Sequence, residues 1–170
     1  MGGGKICKDL DHWQKRKAKD ECKVISLVRF LIFYPEFRSL FYHRIGTISR
    51  YVFFTCHHVR IYIWTKSKDI GGGLYIGHGW GTVINAKKIG ENCLIAQNVT
   101  IGSKGMMEPC LSNNVCVWSH AVVLGDIVIG ENSQIGTGSV VVKDVPSNSV
   151  VVPAKSEIIR KDNEKVRIPL

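Results

Sequence analysis

Aliphatic residues recur every six positions through the second half of the chain. The series runs Ile89, Ile95, Ile101, Leu111, Val117, Val123, Ile129, Ile135 and Val141. Four positions after most of these stands a small or apolar residue: Cys93, Val99, Val115, Ala121, Ile127, Ser133, Ser139 and Val145. Ile70 with Leu74, and Ile76 with Trp80, extend the pattern backwards, with one extra residue near Thr82 resetting the frame before Val83. A six-residue period predicts a stacked parallel coil, each unit supplying one short strand and one turn. The leading aliphatic points inward onto its counterpart one coil away. The +4 residue also points inward, near a corner, and is therefore small. No coil buries its own face, so the core exists only through stacking. Gly, Asn and Asp between these positions accept turn geometry.

The period breaks between Ile101 and Leu111, where ten steps replace six. Gly102 to Cys110 must therefore leave the coil as a loop. Added residues in stacked repeats gather on one face, which is often the binding face.

Before about residue 64 the pattern is different. Val24, Leu27, Val28, Leu31 and Ile32 recur at helical spacing. Pro35 ends that helix, and Phe37, Leu40, Phe41, Arg44 and Ile45 continue the helical period. Tyr51 to Ile63 reads equally as helix or strand, and residues 1–20 as a basic, loosely ordered lead-in. The expected fold is mainly β: a parallel β-helix of hexapeptide repeats at 64–155, a helical region at 1–63 before it and a tail at 156–170 after it.

Composition narrows the function classes. With 45% hydrophobic residues the chain can bury a core, and disorder is disfavoured. A net charge of +9 suggests an anionic partner. The six cysteines form no CxxC pair, which argues against a structural zinc site and reads as reduced thiols in a cytoplasm. The apolar runs Val24–Tyr34 and Arg50–Trp64 are broken by charge and fall short of the roughly 20 residues a spanning helix needs. A peripheral membrane contact through a basic helix ranks below simple helix packing.

The coil text resembles a known family. IGHGWGTVIN (76–85) is similar to the D-H-x-T-G-x-V-x-G box of the serine acetyltransferase branch of the left-handed β-helix acyltransferases. IGENSQIGTGSVVVKDVPSNSVVVPAK (129–155) resembles the terminal coils of that superfamily, although its last motif lacks a Gly. The resemblance implies coils wound left-handed, a homotrimer with sites in the grooves between neighbours, and acetyl-CoA as donor. Nucleic acid is not among the implied partners.

His78 matches the family's catalytic histidine. An imidazole titrating near neutrality can take the proton of a hydroxyl as it attacks a thioester, and backbone N–H groups near the glycines can hold the oxyanion. Two departures stand out. The branch places an orienting Asp fifteen residues before the His, where this chain has Ile63. It places a second His before a Pro, where this chain has Glu108-Pro109. Trp118 looks like the Trp that borders the groove in sugar O-acetyltransferases. Asn85, Glu108 and Trp118 are thus the expected acceptor-binding residues, and a sugar hydroxyl is favoured over serine. The alternatives are a serine O-acetyltransferase of cysteine biosynthesis and a non-catalytic trimeric scaffold. Ala121 and Thr137 are expected along the pantetheine arm, with Lys143 and Lys155 near the nucleotide phosphates. His120 shares the coil domain with His78, and two histidines are too few for a three-histidine zinc centre, so no metal is expected.

Overall fold

The computed structural model describes residues 3–17, 21–51 and 61–169. Three parallel faces wind into a prism of five turns. The first face stacks Ile61–Ile63, Thr82–Ile84, Thr100–Gly102, Val122–Leu124 and Val140–Val141. The second stacks Lys88–Ile89, Cys110–Leu111 and Val128–Ile129, with Ile70 and Val145 bridging to its ends. The third stacks Tyr75–Ile76, Leu94–Ile95, Cys116–Val117, Gln134–Ile135 and Val150–Val151.

The period-six aliphatics form the axis. Ile89, Ile95, Ile101, Leu111, Val117, Val123, Ile129 and Ile135 are each at most 2% exposed. The +4 residues lie beside them, all buried. Each strand is only two or three residues long because the corner follows at once. Those corners need a left-handed backbone. Between the second and third faces it is supplied by Asn92, Asn114, Asn132 and Asn148, all with φ between 56° and 59°. Asparagine tolerates that region better than most residues. Here its side chains also stack, Asn114 Nδ2 donating to Asn132 Oδ1 (3.0 Å) and Asn132 Nδ2 to Asn148 Oδ1 (2.9 Å).

The helices α1 (Gly3–Arg16), α2 (Lys23–Phe33) and α3 (Pro35–Ile45) cover the open first coil. The expected loose lead-in is a helix, because Asp9, Leu10 and Trp13 share a face that the coil end buries. Trp13 donates to the Leu74 carbonyl at 3.0 Å. Asp9 accepts from the Gly73 and Leu74 N–H groups. Arg44 pairs with Asp9 (2.9 Å) and donates to the Ile70 and Gly71 carbonyls. These contacts satisfy peptide groups that a terminal coil would otherwise leave unpaired. Pro35 ends α2 and opens α3, where a missing N–H costs nothing. The helical period in α2 does not mark the buried face. Ser26 and Phe30 are buried, while Val24, Val28 and Ile32 are exposed. Of the ambiguous stretch, 61–63 is strand, and 52–60 lies outside the described residues. Residues Glu157–Lys161 and Glu164–Pro169 form an antiparallel hairpin. No described helix is long and apolar enough to cross a membrane.

Candidate active site

His78 lies where the third face turns into the first. In later coils this turn is tight: Ile101 follows Ile95 by six residues, and Val123 follows Val117 by six. In the first passage Ile84 follows Ile76 by eight. The hydrogen-bond register identifies the two additional residues. The Trp80, Gln97 and Ser119 carbonyls accept from Asn98, His120 and Gly138 respectively, so these three carbonyls occupy equivalent places. His78 and Gly79 are the insertion. The expected single extra residue is therefore two. Ile84, not Val83, points inward, and Thr82 takes the inward place expected of Trp80, which is 60% exposed. Thr82 is stable there because its hydroxyl donates to the Ala96 carbonyl at 3.1 Å.

The insertion forces a strained backbone. His78 has φ 58° and Gly79 φ 37°. A left-handed non-glycine residue costs about 1–2 kcal/mol. At Asn98 and His120 that conformation belongs to the regular corner, whose place is taken by Gly81 in the first passage. At His78 it belongs to neither, and it projects an exposed imidazole from the coil edge. No described residue hydrogen-bonds the imidazole. Such strain, held by the surrounding stack, is common at functional sites.

The expected site residues divide between two edges. Trp118, Ala121 and Thr137 follow the third face at the same corner as His78, in successive coils. Trp118 Nε1 donates to Gln134 Oε1 at 3.4 Å. Ala121 is fully buried, so it offers the corner only backbone, and its N–H already donates to the Trp118 carbonyl. His120 lies on this edge too, its Nε2 3.4 Å from Asn98 Nδ2. Asn85, Glu108 and Lys143 follow the first face, at the opposite corner. Crossing that face of three-residue strands takes about 10 Å. Glu108 sits in the added loop, which closes on itself through Lys104 N–H to the Met107 carbonyl and exposes Met106. Within one chain, then, Glu108 does not reach His78. Lys155 is exposed, between the last coil and the hairpin.

Sequence reading passed over one further group at the histidine corner. Glu36, in the first turn of α3, is 9% exposed. A Cβ on Gly79 would lie 3.1 Å from Glu36 Cγ and 2.3 Å from Ile61 Cδ1. The Pro35-Glu36 pair is legible only as a helix start.

Elsewhere the titratable groups serve the fold. Burial pushes the Cys93 thiol up to about 12, which keeps it inert. Burial lowers His43 and His12, whose rings meet the Thr65 and Gly73 carbonyls. Burial also raises Asp9, against the pull of Arg44 and two backbone N–H groups. Among the described residues no three His, Cys, Asp or Glu side chains converge as metal ligands.

The three-sided coil and its six-residue period define a left-handed β-helix of hexapeptide repeats, with a histidine projected from one widened corner. Sequence and fold comparisons find serine acetyltransferases among the proteins this chain is similar to. It is 38% identical over 153 residues to serine acetyltransferase of Synechococcus elongatus, covering 80% of this chain and 62% of the relative. It is 43% identical over 98 residues to that of Helicobacter pylori, covering 55% of this chain and 57% of the relative. A crystal structure of Neisseria gonorrhoeae serine acetyltransferase in complex with serine superposes with a TM-score of 0.68 at 25% identity, covering 90% of this chain and 67% of that one. The chain spans about three-fifths of the length of these two curated relatives. No protein-family model matches it.

Proposed function

We propose that this protein is an acetyl-CoA-dependent O-acetyltransferase that acetylates the hydroxyl of serine, with His78 as general base. The observation that carries the reading is the two-residue insertion that lifts an unpartnered imidazole out of an otherwise regular coil edge. In this reading the imidazole takes the acceptor proton as the oxygen attacks the thioester carbonyl, then returns it to the departing thiolate. N–H groups in the glycine-flanked insertion are candidate donors to the oxyanion. Serine replaces the sugar hydroxyl as the favoured acceptor because the relatives named above are serine acetyltransferases, one of them with serine bound.

The site is completed by a second copy. His78, Trp80, Trp118 and His120 lie exposed on a convex edge, which needs an opposing surface to become a groove. The adjoining first face supplies one: its outward residues Tyr62, Val83, Thr100, Val122 and Val140 align in register as a stripe of valines with two hydroxyl-bearing residues. A homotrimer packed on this stripe would also bring a neighbour's loop, with Glu108 and Asn85, toward His78. Lys143 and Lys155, both exposed near the last coil, are proposed to meet the phosphates of coenzyme A, and Ala121 and Thr137 to flank its pantetheine arm.

Thiol release from acetyl-CoA with serine, then with monosaccharides and nucleotide sugars, tests this function. Serine-dependent release is expected, falling by at least about a hundredfold in His78→Ala, in line with loss of a general base. Release driven by a sugar and not by serine would restore the sugar reading. Activity unchanged by His78→Ala would remove the base.

A further inference from the structure

His78 lacks the coil-borne carboxylate that its family resemblance leads one to expect. Ile63, at that position, is apolar and pairs with Ile84 in the first face. A different carboxylate approaches from the helices. Glu36 is nine-tenths buried, and its stem lies against the backbone of Gly79, the residue that follows His78. No described residue gives Glu36 a hydrogen bond or an ion pair. The neighbouring charges are already committed. On α3, Arg38 donates to the Leu31 and Ile32 carbonyls, Arg44 pairs with Asp9, and His43 meets the Thr65 carbonyl. On α2, Arg29 pairs with Glu21. The strand Ile61–Ile63 carries no charge, and the 77–81 turn carries one titratable group, His78. One coil on, Asn98 and His120 face each other. Among the described residues Ser139 Oγ is the one side-chain oxygen or nitrogen buried without a partner, so the Glu36 carboxylate keeps contact with solvent, while its stem borders the turn that carries the one group on the packed elements that gains a proton in the proposed reaction.

We propose that Glu36 is the positioning residue for His78, a helix-borne carboxylate doing what a coil-borne one does elsewhere. This inference rests on His78 being the base. The two side chains are not hydrogen-bonded in this structure; in the reacting complex Glu36 accepts a hydrogen bond from one imidazole nitrogen, which leaves the other free to receive the acceptor proton. The proton passes from the acceptor hydroxyl to His78 and then to the thiolate of coenzyme A. Glu36 stays ionised throughout and stabilises the transient imidazolium. The acidic residue also suits a helix N-terminus, so a purely structural role is the competing explanation.

The experiment is an NMR titration of the His78 ring in the full chain, its signals assigned with His78→Asn, repeated in Glu36→Gln and Glu36→Asp. Glu36→Gln is expected to move the His78 midpoint down by roughly one pH unit, the least expected for losing a close opposite charge. In the acetyl-transfer assay it should lower kcat at least about tenfold with the serine KM held, and Glu36→Asp should recover part of that loss. A midpoint that does not move, with only thermal stability reduced, overturns the proposal in favour of the helix-end role. A raised KM with kcat intact also overturns it, by making Glu36 an acceptor contact. The titration reads the Glu36–His78 pair without turnover, so an inactive His78 site and an uncoupled Glu36 give different results.

Discussion

Gly79 shows how narrowly the histidine corner is built. Its φ of 37° disfavours any side chain, and a Cβ would overlap Ile61 Cδ1 and crowd Glu36. Both partners are side chains, so an added methyl would be met by their displacement and not by unfolding. Gly79→Ala is expected to cost about 1–3 kcal/mol of stability, as overpacking does, and to lower kcat by moving Glu36 and His78 apart. Denaturant unfolding and steady-state kinetics on the same preparation check both effects. The flanking glycines were legible as turn residues, but their particular demand was not. Gly79 is hemmed in by Ile61, 18 positions earlier, and more loosely by the helix residue Glu36, 43 positions earlier, and such contacts leave no local pattern.

At the scale of elements, the junction between helices and coil depends on one buried ion pair. Arg44 and Asp9 have side chains 0% and 3% exposed, and between them they bind five backbone groups of residues 67–74. Asp9→Ala would strand a buried guanidinium and free two N–H groups, and should cost about 3–5 kcal/mol. Loss of cooperativity in a urea melt, with the first coil's amides exchanging before those near Ile129, is the expected signature. The coil itself was readable because period six fixes both direction and burial for each residue. The exception was the turn after Ile76, where two aliphatics, Val83 and Ile84, stood side by side and only strand register could choose between them. The α2 helix was readable in extent but not in orientation. It is apolar on several sides, so its burial was settled by Trp13 and Phe37 packing on Phe30.

For the molecule as a whole, pH acts through histidines at that same junction. Burial holds His12 and His43 below the ordinary histidine value of about 6.5. Between the lowered values and about 6.5 the unfolded chain binds more protons than the folded one, so stability rises with pH through that window. It is fully present above about 6.5 and is lost as pH falls. Asp9, raised by burial, contributes a slope of the opposite sign, present equally in any histidine variant. The Tm should therefore fall from about pH 7.5 to about pH 5.5, and His43→Gln should flatten that fall. Differential scanning calorimetry at the two pH values measures it.

The sequence by itself determined the coil, its inward residues, the loop that leaves it and the histidine worth examining. Each of these is a matter of local period, and a stacked repeat turns local period directly into three-dimensional position. Tertiary structure alone decided which residues share an edge. It separated Glu108 and Asn85 from His78 by the width of a face and brought Glu36 against Gly79. Strand register and helix docking join positions far apart in the chain through packing and buried polar pairing, and neither is encoded in the spacing of neighbours.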